Sequence, residues 1–163
     1  MKKTNTMKNR KDGNVAASVE SAEEEWLSEH FTLAEMLRSG TAIRYNIENN
    51  PTERDIENLR SLCRTVLEPL RRRYGRIIIT SGFRCPELNA RVGGSPQSQH
   101  MRGEAVDIHV SCPEIAQKFA QFIISFTDFD QLIFEPAVAG GNKRPHWLHV
   151  SHTTRRRNRH QVV

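Results

Sequence analysis

The sequence is short of long apolar runs, of cysteines and of aromatic residues, and these shortages exclude several classes of protein. No run of 18 apolar residues occurs, which excludes an ordinary transmembrane helix. The three cysteines, Cys63, Cys85 and Cys112, are odd in number and include no CxxC pair. We therefore expect neither a disulfide framework nor a structural zinc knuckle, and interpret them as reduced thiols of a protein made in the cytoplasm.

The start of the chain is basic, but no apolar core follows it, so we expect no secretory signal. Residues 1–25 are polar and aperiodic, which predicts a disordered leader. The remaining length is enough for one domain with a hydrophobic core, which we place at residues 26–152. Residues 153–163 then form a basic tail, and we expect the protein to be a monomer.

The basic tail accounts for much of the net charge of +5. We interpret it first as a solvated segment, and second as a site for an anionic polymer such as nucleic acid or the phosphate-rich bacterial envelope. Few aromatic residues are interleaved with its arginines, which argues against a nucleic-acid partner.

Hydrophobic periodicity predicts a small α+β domain. Apolar residues at helical spacing predict a helix after Thr32, a long helix from Pro51 to Gly75 that Pro69 should kink or loosen, and an amphipathic helix over residues 113–126. A short helix is predicted over residues 86–92. Alternating or β-branched runs predict about four strands, at residues 76–82, 104–110, 130–135 and 147–151. We expect a mostly antiparallel sheet flanked by helices.

Two histidines and one aspartate stand out among the polar residues. His100 precedes Asp107 by seven residues, and His149 lies on the last predicted strand. Two imidazoles and a carboxylate can form a catalytic zinc site with a fourth position left for water. Taken singly, the same residues have structural interpretations: a loop imidazole, a strand-end ion pair and a core histidine.

Three blocks in order carry a family resemblance over roughly residues 30–152. Residues 98–107 match SxHxxGxAxD, residues 147–151 match WxHVS, and residues 80–84 match a turn of the SGYRS type. Together they resemble the zinc D-Ala-D-Ala carboxypeptidase family, which includes phage L-alanyl-D-glutamate endolysins and VanX-type dipeptidases. The resemblance implies a fold shared with the hedgehog signalling domain.

The resemblance also implies roles for individual residues. The zinc ligands would be His100, Asp107 and His149. Arg84 would bind a substrate carboxylate or stabilise the developing oxyanion, and Ser98 would line the cleft beside the first ligand. Many relatives carry a glutamate base three residues before the last ligand, where this chain has His146; an imidazole there can act as general acid or base near neutral pH.

The implied function is a zinc metallopeptidase that hydrolyses peptidoglycan stem peptides, with a zinc-activated water as the nucleophile. The cut would be that of a D-Ala-D-Ala carboxypeptidase or of an L,D-endopeptidase beside D-glutamate. Without a signal peptide, we expect a phage or prophage protein that reaches the cell wall by another route, its basic tail adhering to an anionic wall polymer. The alternative is a non-catalytic wall-binding or virion-associated module, which the replacement of glutamate by His146 favours.

Overall fold

The computed structural model describes residues 25–136 and 145–163, with the side chains of residues 135, 136, 145 and 146 excepted. The predicted leader therefore falls almost wholly outside the described residues. The predicted α+β class is confirmed. The helices are α1 Leu33–Leu37, α2 Gly40–Tyr45, α3 Glu53–Leu62, α4 Glu68–Tyr74, α5 Pro86–Arg91 and α6 Pro113–Phe126. The strands are β1 Ile79–Ser81, β2 Ala105–His109, β3 Gln131–Pro136, β4 Pro145–Ser151 and β5 Gln161–Val162.

The long helix predicted before Gly75 forms, but it is not α-helical throughout. It begins at α3, whose N-cap Thr52 and Asp55 form a reciprocal capping box. A π-helical turn, Cys63–Leu67, then separates α3 from α4. Pro69 explains the change, because proline has no N–H to donate to the carbonyl four residues earlier. Among the described helices none is long and apolar enough to cross a bilayer.

The sheet has five strands in the order β1-β2-β4-β3-β5. The four predicted strands are β1 to β4, and they pair antiparallel. The prediction missed β5, which comes from the basic C-terminal residues and pairs in parallel with β3. The sheet is thus mostly antiparallel, as expected, but it has one strand more than the sequence predicted.

Strand alternation gives the central strands β2 and β4 two different faces. Val106, Ile108, Leu148 and Val150 are fully buried in the core that the helices share with the sheet. The intervening residues of the same strands point to the opposite face. Register pairs Asp107 with His149 on that face, so the packed core fixes the relative position of two candidate ligands.

A 3-10 helix, Gln99–Arg102, carries the third candidate ligand and ends at Gly103. The backbone of Gly103 has a φ of 67°, in the left-handed region that favours glycine. A Cβ at this position would overlap the carbonyl oxygen of Asp55 in α3. Gly103 therefore lets the ligand-bearing turn lie directly against the long helix.

We predict that Gly103→Ala destabilises the fold more than Gly93→Ala does. Both glycines have positive φ, so each alanine should cost about 1–2 kcal/mol of backbone strain. Only at position 103 does the new methyl group also meet backbone, whereas a Cβ at Gly93 meets nothing within 4 Å. Urea unfolding of the two variants measures the difference, and equal losses would contradict the close approach to α3.

Candidate metal centre

Three side chains from three separate elements converge on one point. His100 comes from the 3-10 helix, Asp107 from β2 and His149 from β4. His149 Nδ1 lies 2.9 Å from Asp107 Oδ1, His100 Nε2 lies 3.3 Å from the same oxygen, and the two ring nitrogens are 3.3 Å apart. The predicted ligand atoms therefore form a triangle with sides of 2.9–3.3 Å.

The size of this triangle fits a tetrahedral metal ion. Nitrogen and oxygen ligands bind zinc at about 2.0–2.1 Å, so two ligands at the tetrahedral angle stand about 3.3 Å apart. His100 is almost fully buried, and the side chains of Asp107 and His149 are only 13% and 12% exposed. The described residues include a second cluster of possible ligand atoms, formed by Glu29, His30 and Glu68. In this cluster both oxygens of Glu68 are occupied by hydrogen bonds with Ser28 and His30.

The protonation states also suit a divalent cation. Nδ1–H of His100 donates to the carbonyl of Gly82 at 2.7 Å, which leaves the Nε2 lone pair facing the centre. Burial lowers the pKa of His100 and outweighs the opposing effect of Asp107, so the ring is neutral. Burial alone would raise the pKa of Asp107, but its contacts with the two neighbouring histidines hold it well below its usual range. A lone pair and a carboxylate 3.3 Å apart repel each other unless a cation lies between them.

Arg84 lies beside this triangle at the end of the turn that follows β1. Its backbone N–H donates to the carbonyl of His100 at 3.1 Å, and its Nη2 lies 3.9 Å from Asp107 Oδ2. Nε of Arg84 is buried and has no hydrogen-bond partner among the described residues. Burial lowers the pKa of Arg84, which Asp107 partly offsets, but a guanidinium keeps its proton at neutral pH. The Arg84 side chain lines the cleft and is 16% exposed, so its planar guanidinium can donate to an oxygen of a substrate.

Asn49, which the sequence analysis did not single out, holds the turn that carries Arg84. Its side-chain amide donates to the carbonyls of Leu37 and Phe83 and accepts from the N–H of Cys85. An asparagine in a connecting segment gives no signal of this role in the sequence.

The centre opens into a cleft of about 940 Å³. Ser98 lines it, and its hydroxyl also accepts from the N–H of His100 at the start of the 3-10 helix. His146 belongs to β4, where the register with β3 is irregular, but its side chain lies outside the described part of the structure. Its predicted role as a base stays a prediction.

The C-terminal arginines form one wall of the same cleft, and interpreting them as a solvated tail is wrong. Arg155 makes two bonds to Glu104, at 2.6 and 2.9 Å. Arg156 and Arg159 both bind Asp130. Glu104 and Asp130 are completely buried, and buried carboxylates need charged partners, which is why the segment folds back onto the domain.

Comparison with known families agrees with this geometry. Residues 29–150 match the family model described as peptidase M15. The chain belongs to the peptidase M15 family. This confirms the resemblance to the zinc D-Ala-D-Ala carboxypeptidases and assigns the chain to the hydrolases, as a metallopeptidase. No curated protein matches the chain. The three candidate ligands and Arg84 lie inside the span matched to M15 peptidases, whereas the arginines that follow residue 150 lie outside it.

We expect this M15 peptidase to bind about one zinc ion per chain and to lose it in His149→Ala. The control is His109→Ala, because His109 is an exposed histidine on β2, two residues from Asp107. Elemental analysis of the purified proteins measures the metal content. A folded wild type that takes up no zinc when it is supplied, or a His149→Ala variant that retains it, would contradict the ligand assignment.

We also expect Asp130→Asn to destabilise the protein by about 3 kcal/mol at neutral pH, because two arginines lose a buried carboxylate. Burial alone would raise the pKa of Asp130, but the bonds from Arg156 and Arg159 lower it below its value in the unfolded chain. The stabilisation is therefore complete above the ordinary aspartate pKa of 3.8 and declines as the pH falls below it. Unfolding titrations should show the two proteins converging in acid. Asp128→Asn, at a carboxylate that is 59% exposed, should have a smaller effect.

Proposed function

We propose that the protein is a zinc metallopeptidase that hydrolyses the stem peptides of peptidoglycan. The reaction would be that of a D-Ala-D-Ala carboxypeptidase or of an L,D-endopeptidase that cuts beside D-glutamate. The observation that carries the proposal is the triangle of His100, Asp107 and His149, with sides of 2.9–3.3 Å, beside the guanidinium of Arg84.

In this proposal the three residues of the triangle hold the metal from one side. When bound, zinc supplies a Lewis acid that polarises the scissile carbonyl and lowers the pKa of water towards ~7. The hydrogen bond from His100 to the carbonyl of Gly82 fixes the ring orientation and leaves Nε2 as the ligand atom. The register between β2 and β4 fixes the backbone positions of Asp107 and His149 opposite each other. The three side chains therefore need little rearrangement to bind a metal ion.

Arg84 would orient the substrate. Its planar guanidinium can bind a carboxylate through two parallel hydrogen bonds, which suits a free peptide C-terminus or the side chain of D-glutamate. The same donors can stabilise the negative charge that develops on the carbonyl oxygen during attack. The backbone N–H of Arg84 donates a hydrogen bond to the carbonyl of His100. This bond couples the position of Arg84 to the 3-10 helix that carries His100.

His146 would move the proton between the attacking water and the leaving amine, which an imidazole can do near neutral pH. We propose, as its biological setting, a phage or prophage protein that acts at the cell wall.

We expect purified wild type to release peptide fragments from peptidoglycan and His100→Ala to release none while remaining folded. Arg84→Lys keeps the charge but loses the planar fork, so we expect a reduction in kcat/KM of about 100-fold. Chromatography of the released peptides measures both effects and identifies the bond. His109→Ala serves as the histidine control. Activity retained in His100→Ala would refute the proposed site.

The proton-transfer role is tested with His146→Ala and Glu135→Gln side by side. Glu135 is included because its backbone pairs with Trp147, two residues from His149. Loss in His146→Ala alone supports the assignment, and loss in Glu135→Gln alone moves the base to Glu135. If the zinc-loaded wild type is inert, His146→Glu distinguishes the peptidase hypothesis from the hypothesis of a non-catalytic wall-binding module. A large gain of activity in this variant would show that the wild-type site is degenerate, which supports the non-catalytic module.

A further inference from the structure

We propose that Arg155, Arg156 and Arg159 form a second anion-binding site in the cleft, which selects peptides that carry a second free carboxylate. We call these three residues the arginine wall. The inference rests on the proposed function, because it takes the ligand of the cleft to be a peptide whose first carboxylate is bound by Arg84. All three residues of the wall line the same cleft as Arg84 and the metal centre.

The arginine wall is held from behind by carboxylates that substrate cannot reach. Arg155 binds Glu104 through Nε and Nη2, at 2.6 and 2.9 Å. Arg156 binds Asp130 through two nitrogens, at 2.7 and 2.9 Å, and Arg159 binds it at 2.7 and 3.2 Å. Glu104 and Asp130 are 0% exposed. The guanidinium groups are therefore fixed before a ligand arrives, which lowers the entropic cost of binding.

Each guanidinium retains a donor for a ligand. Nη1 of Arg155, Nε of Arg156 and Nη1 of Arg159 make no hydrogen bond within residues 25–136 and 145–163. The side chains are 34%, 39% and 46% exposed, so solvent and ligands can reach them. A structural ion pair alone would not require the wall to face the cleft.

The charges also favour an anionic ligand. Two guanidinium groups share the single carboxylate of Asp130, which leaves a net positive charge at this end of the wall. Arg102 also lines the cleft, and among the described residues its side chain bonds only to uncharged groups of Gln97. A charge-assisted bond to a carboxylate is about twice as strong as a neutral one, so a second carboxylate should be recognised strongly here.

Arg157 provides a matched control within the same segment. It is exposed, does not line the cleft, and its side chain makes no hydrogen bond or ion pair with the described residues. Replacing it removes the same charge from the same stretch of chain. Arg159→Gln is the preferred test variant, because Arg156 still neutralises Asp130 when Arg159 is lost.

The test compares two stem peptides that differ only in whether the glutamyl carboxylate is free or amidated. Binding is measured by calorimetry with the full, zinc-loaded chain and with peptides whose candidate scissile amides are replaced by non-hydrolysable bonds, so that no turnover occurs. We expect wild type to bind the free acid about tenfold more tightly. Arg159→Gln and Arg156→Gln should each reduce this preference to about threefold or less, whereas Arg157→Gln should keep it.

Equal binding of the two peptides by wild type would overturn the proposal. So would an equal loss of preference in Arg157→Gln, which would show a general effect of net charge. The protein could instead bind a polyol phosphate polymer through Arg159 and fail to discriminate between the two peptides. That result would overturn the proposal and make the arginine wall a binding site for the envelope polymer. If the zinc-loaded wild type shows the preference but has no peptidase activity, the missing activity refutes the proposed catalysis. The observed preference then still supports the anion-binding site.

Discussion

The antiparallel pairing of β2 with β4 is the constraint on which the metal centre depends. It sets Asp107 opposite His149, and the alternation of the strands sends Val106, Ile108, Leu148 and Val150 into the core on the other side. A shift of one residue in this register would exchange the two faces, burying the ligands and exposing the apolar residues. The free energy that buries the core therefore also holds the ligand geometry.

The third candidate ligand, His100, depends on a different contact, between the 3-10 helix and the rest of the domain. Gly103 allows the helix to lie against α3, and the carbonyl of Gly82 orients the ring of His100. A Cβ on Gly82 would overlap the backbone of Met36, so the turn after β1 is itself packed tightly. The same turn carries Arg84, which explains how two elements distant in sequence place a ligand and a cation side by side.

The sequence was sufficient to predict most strands and to single out His100, Asp107 and His149 as candidate ligands, which the structure brings together. A period of two in β2 and the fixed spacing between His100 and Asp107 are visible without knowledge of the fold. The role of residues 153–163 was not predictable, because it depends on the burial of Glu104 and Asp130, which no pattern near the arginines reveals. The π-helical turn before Pro69 was predicted only as a kink or loosening, since proline removes one hydrogen bond without specifying how the helix adjusts.

The candidate metal centre and the arginine wall are held by different forces, so the proposed catalysis and the proposed substrate selection rest on separate interactions. The centre is supported by a hydrophobic core, whose stability changes little with pH. The wall is supported by ion pairs to Glu104 and Asp130, and bonds from arginine lower the pKa of both carboxylates against the opposing effect of burial. Protonation of these carboxylates would release the wall while the strand pairing that positions the ligands remains. The wall also lies beyond the span matched to the peptidase M15 family, so its residues can change without altering the ligand set.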